Sequence, residues 1–121
     1  MEKKYIDEYE QFVKQYEDAS GSVGGAEIGF MIAKMTHYFC QANLQKNRAL
    51  KVFNAIAREV YNSMDGIKPI TAAKADRLVD ATPEAAMLHE AQTDVTNLEQ
   101  IINSLKSLQK GVISEYTITS G

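Results

Sequence analysis

The sequence has one cysteine, two prolines and no apolar run longer than a few residues. A lone thiol, Cys40, excludes an internal disulfide framework and fits a reducing compartment. Nothing approaches the roughly 20 consecutive apolar residues that cross a bilayer, so no membrane span is expected. The opening segment Met1-Glu2-Lys3-Lys4-Tyr5-Ile6-Asp7-Glu8 is charged and lacks the apolar centre of a secretory signal, which points to a cytoplasmic protein. Positive charge is also in short supply. Lys and Arg number 13 against 16 Asp and Glu, for a net charge of −3. That balance argues against a general nucleic-acid binder, which is usually basic.

What is present is ordinary globular material. A chain of 121 residues, 45% apolar and 24% charged, is long enough for one domain with its own core. Charge is unevenly placed. Residues 1–18 hold three Lys against six acids; residues 27–65 hold five Lys or Arg against three. The middle is the only basic part.

The hydrophobic spacing is helical almost throughout. Tyr5, Ile6, Tyr9, Phe12, Val13 and Tyr16 recur at three and four, which predicts a first helix over 2–18 with one aromatic face. A Gly/Ser linker over 20–25 follows, since no helix interior carries that density of Gly and Ser. From 26 to 64 a long stripe steps through Ile28, Ile32, Met35, Phe39, Ala42, Ala49, Phe53, Ile56, Val60 and Met64, and it contains no proline. Unbroken, this helix spans roughly 58 Å at 1.5 Å per residue. The polar stretch Gln45-Lys46-Asn47-Arg48 is where a break would fall. Gly66, in the left-handed position after the helix, and Pro69 are expected to stop it.

Thr71 is placed to cap a short helix over 72–80. Thr82-Pro83-Glu84 then combines a capping hydroxyl, a proline at the first helical position and a carboxylate on the positive end of the dipole. The helix it opens is expected to run over 83–115. Leu88, Ala91, Val95, Leu98, Ile102, Leu105 and Val112 form a heptad seam in it, widened by Ile101 and Leu108. Gly111 is its weak point, and the β-branched tail beyond it can be read as helix, strand or frayed end. The expected architecture is all-α: a long antiparallel helical hairpin or bundle with a shorter N-terminal helix and coiled-coil-like packing.

The 26–64 helix also carries Phe30, Met31, Tyr38, Leu44, Leu50 and Val52 off its main stripe. Surplus apolar faces of this kind usually mark an interface. Self-association is therefore expected, through Leu88, Val95, Leu98, Ile102, Leu105 and Val112 of the seam together with Phe39, Phe53 and Ile56.

Chemical signatures are sparse. His37 and Cys40, three apart, make half a metal site, and His89 sits in another helix. The Glu-x-x-His pair of a di-iron bundle is absent, because Lys34 and Ala86 stand where the glutamates belong. Gly21, Gly24 and Gly25 lack the Gly-Lys-Ser/Thr ending of a phosphate loop. His89-Glu90 falls at solvated heptad positions, a poor setting for acid–base work. No catalytic residue, metal or cofactor is assigned. Lys46, Arg48 and Lys51, interleaved with Asn43, Gln45 and Asn47, are the one segment suited to phosphates and bases.

The stretch from Lys74 to Ala85 (KADRLVDATPEA), with Asn97 to Gly111 (NLEQIINSLKSLQKG), resembles small uncharacterised helical proteins of tailed bacteriophages and prophages. The resemblance covers roughly residues 71–116. It implies a bacterial cytoplasm and a role beside DNA metabolism or assembly, and it carries over no functional residue. The expected function is a non-enzymatic interaction or adaptor protein, a phage or mobile-element accessory factor that self-associates and can take a protein partner. The alternative is a nucleic-acid-binding accessory protein in recombination or replication, working through residues 46–51.

Overall fold

A computed structural model describes residues 3–18 and 24–120, with side chains as far as Val112. Four helices make up nearly all of it: α1 Lys4–Asp18, α2 Gly25–Tyr61, α3 Ala72–Asp80 and α4 Pro83–Ser120. Two-residue strands, β1 Met64–Asp65 and β2 Lys68–Pro69, form a small antiparallel hairpin between α2 and α3. The class is all-α, built on the long pair α2 and α4. Residues 20–23 of the expected linker lie outside the described residues. Gly24 is non-helical and Gly25 is already the first residue of α2.

α2 runs through Gln45-Lys46-Asn47-Arg48 without interruption. Gln45, Lys46 and Arg48 are good helix formers, no Gly or Pro interrupts them, and Gln45 and Lys46 are half-buried, so the weaker propensity of Asn47 is outweighed. Its end differs from the 26–64 range. After Tyr61 the last turn tightens: Ser63 N donates to Val60 O at 3.1 Å, and Ser63 Oγ donates to the same carbonyl at 2.6 Å. The orphan carbonyl of the terminus is thereby occupied. Met64 consequently leaves the helical stripe and sits in β1, 59% exposed.

Gly66 is left-handed, with φ of 69°, but in a hairpin turn and not at a helix C′ position. Asp65 pairs with Lys68 and Met64 with Pro69, leaving Gly66 and Ile67 as a two-residue loop. Such loops take primed turns that need positive φ at the first central residue, which glycine accepts without steric cost. The Lys74 ammonium reaches Asp65 Oδ1 at 2.9 Å, tying α3 to the hairpin.

Both predicted caps form. Thr71 Oγ1 accepts from Lys74 N at 3.3 Å, opening α3. Thr82 Oγ1 accepts from Ala85 N at 3.2 Å and donates to Val79 O at 2.7 Å, so one hydroxyl closes α3 and opens α4. α4 continues as helix past Gly111 to Ser120, beyond the expected end at 115.

By its contacts the chain divides into two compact units. Unit 1 comprises residues 1–41 and 96–121. Its core takes Tyr5 and Phe12 from α1, Ile28 and Met35 from α2, and Leu98, Ile102 and Leu105 from α4. Within it, Gln109 Nε2 of α4 donates to Gly25 O at the start of α2 across 3.1 Å. Each large side chain buried here contributes about 1.5–3 kcal/mol of transfer free energy. Unit 2 comprises residues 42–95. Its buried apolar side chains are smaller: Ala42, Ala75, Val79, Leu88 and Val95.

Candidate functional site

The seam residues expected at an interface lie inside the chain's own core. In unit 1, Leu98 is 0% exposed, Leu105 2% and Ile102 9%; in unit 2, Leu88 and Val95 are each 7% exposed. Phe39, Phe53, Ile56 and Val112 are half-buried. A heptad seam looks the same whether its partner helix belongs to the same chain or to another; here intramolecular packing consumes it. Of the six surplus apolar positions of α2, Met31 and Tyr38 are half-buried and the other four are exposed. Phe30 is 73% exposed, Leu44 51%, Val52 53% and Leu50 39%.

α1 docks by more than its aromatic face. Glu8 Oε1 accepts from the Tyr38 hydroxyl at 3.1 Å and pairs with the Lys34 ammonium at 3.3 Å. Tyr38 also packs beside Tyr5, with ring centroids 6.3 Å apart and planes tilted by 50°. Its phenol titrates above the usual value near 10, first because burial disfavours the phenolate, then because the hydrogen bond and the negative charge of Glu8 oppose ionisation. No signal for Glu8 stands out in the sequence, since its partners lie some thirty residues away.

The basic segment does not form one surface. Two residues apart on a helix means roughly 160° around it, so Lys46 lies on a different side from Arg48. Lys46 is half-buried, whereas Arg48 and Lys51 are exposed. Arg58, also exposed, joins Arg48 and Lys51 within roughly 80° of arc. Among the described residues these three cations have no acidic partner. Lys34, by contrast, is committed to Glu8.

His37 and Cys40 are both exposed on α2, and His37 Nε2 lies 3.2 Å from the Gln41 amide nitrogen. His89 and Glu90 are exposed on α4. Among the described residues no three His, Cys, Asp or Glu side chains gather as metal ligands would.

A feature not singled out in the sequence lies in unit 1. Thr36 and Phe39 of α2 and Glu99, Ile102, Asn103 and Lys106 of α4 line an open groove of about 300 Å³. Phe39 and Ile102 supply an apolar floor and the other four a polar rim. Glu99 and Lys106, seven residues apart, lie on one side of α4 at a separation of about 10.5 Å along its axis. The signal for this groove was available as an acid, an amide and a base at i, i+4 and i+7 beside the seam.

No family model, curated protein or solved structure matches the chain.

Proposed function

We propose that this chain is a non-enzymatic helical interaction protein that self-associates and serves as an adaptor or accessory factor. On its resemblance to small phage proteins, the setting is a phage or other mobile element in a bacterial host cell. One observation carries the reading. Among the described residues nine large apolar side chains stay exposed after the chain has packed its own core: Phe30 in unit 1, at 73%, and eight in unit 2, where Ile67 at 93% and Met87 at 64% are the most open. Unit 2 in particular buries two alanines among its five core side chains while leaving Leu, Val, Met and Ile side chains in water. Where such side chains adjoin one another, apolar surface is normally covered by another protein surface. Light scattering at tens of micromolar tests the self-association. A mass above the 13.5 kDa protomer is expected, and a monomer would sink the reading.

A second reading is favoured by Arg48, Lys51 and Arg58, three cations along one exposed face with no acidic partner among the described residues. In it the chain contacts nucleic-acid phosphates, with Asn47 and Asn54 beside them offering amide groups to bases. Binding to single- and double-stranded DNA across a salt series tests it. Three phosphate contacts give a logarithmic salt slope near −2 to −3. The absence of salt-sensitive binding at low ionic strength would end it.

A further inference from the structure

We propose that the α2–α4 groove of unit 1 is the seat of a two-fold dimer, occupied by α4 of a second copy of this chain. The inference rests on the self-association reading above and adds a polar-rimmed surface to it, separate from the exposed apolar side chains that carry that reading.

The argument is charge complementarity. A two-fold interface presents the same patch from both sides, so the patch must complement itself. Along α4 the groove rim reads Glu99, Asn103, Lys106. Laid antiparallel on a copy of itself, with the axis near residues 102 and 103, this row places each Glu99 opposite Lys106 of the second copy. Two reciprocal ion pairs result. Asn103 falls beside the axis, and an amide offers both donor and acceptor, so the two copies of Asn103 can bond to each other. A polar side chain near the axis also penalises shifted registers. Lys110, the next cation on this side, falls opposite Val95 and meets no like charge.

The groove supplies the rest of an interface. Phe39 is half-buried and Ile102 lies beneath the rim, giving an apolar floor inside a polar edge. The methylene stem of an incoming Lys106 covers that floor while its ammonium reaches the rim. Among the described residues neither Glu99 nor Lys106 has an ionic partner within its own chain. The hydroxyl of Thr36 is already satisfied by Ile32 O at 2.8 Å, so covering it strands no donor. The seat uses none of the eight exposed apolar side chains of unit 2.

The test is sedimentation velocity of the full chain at tens of micromolar, with helicity checked by circular dichroism. Glu99→Lys and Lys106→Glu each replace two attractive pairs with two repulsive ones. Each is expected to weaken dimerisation by roughly tenfold to thirtyfold. An equimolar mixture of the two variants restores both pairs, because one copy then carries two lysines and the other two glutamates. A heterodimer in the mixture, with the separate variants monomeric, is the expected result. Wild-type oligomers left unchanged by either substitution overturn this surface and leave self-association standing. Monomeric variants that stay monomeric when mixed also overturn it. A monomeric wild-type chain overturns both this inference and the reading beneath it.

Discussion

The hydroxyl of Tyr38 donates to Glu8 Oε1 across 3.1 Å, and the same oxygen meets the Lys34 ammonium at 3.3 Å. Lys34 and Tyr38 are one turn apart on α2, so together they grip a single carboxylate on α1. Tyr38→Phe keeps the ring beside Tyr5 and removes only the hydrogen bond. Because the acceptor left without this donor is a charged, part-buried oxygen, the expected cost is about 1.5–2 kcal/mol. Urea unfolding reads it as a lower midpoint at constant slope; an unchanged midpoint would show that the bond does not hold α1.

The same contact sets a response to alkali. The folded-state pKa of Tyr38 is raised above 10.0, chiefly by burial. A group raised on folding contributes stability that is complete below its unfolded pKa and is lost as pH rises through the folded one. Stability is therefore expected to fall from about pH 10 upward, beyond what the other tyrosines cause. Absorbance of phenolate during alkaline titration should show one of the six tyrosines titrating late, and Tyr38→Phe should delete that component. A late component that survives the substitution would reject the assignment.

Two glycines make opposite predictions. Gly111 lies within α4, and a Cβ built there meets nothing within 4 Å. Gly111→Ala should stabilise the chain by about 0.5–1 kcal/mol through helix propensity and a smaller unfolded-state entropy. Gly66 also has open space around it, but its φ of 69° is strained for any side chain. Gly66→Ala should cost about 1–2 kcal/mol, or detach the hairpin locally. Thermal melts of both variants check the pair, and the same sign for both would contradict the backbone argument.

Much of the architecture was legible because it rests on local chemistry. Thr71 and Thr82 announce their helices by capping, and the seam through Leu98, Ile102 and Leu105 announces a buried face. The hairpin at Met64–Pro69 was not legible: two-residue strands carry no periodicity, and Gly66 fits a helix terminus as well as a primed turn. Nor could the seam say whose helix it meets, since apolar spacing is blind to chain identity. The Glu8–Tyr38 contact and the groove rim depend on which faces of separate helices come together. That information lies in tertiary packing and not in any one helix.

Cys40 offers the most direct check on which side of α2 faces water. A free cysteine is often a small buried hydrophobe, which the sequence left open. In the structure it is exposed, one residue from the groove-lining Phe39. A thiol on an open helix face is expected to react with Ellman's reagent in the native protein, to one equivalent per chain and at a rate comparable to that of the unfolded chain. Cys40→Ser should then change stability by less than about 0.5 kcal/mol, as for other surface positions. A thiol that labels only after denaturant is added would place Cys40 in a core, and with it the face of α2 that carries His37.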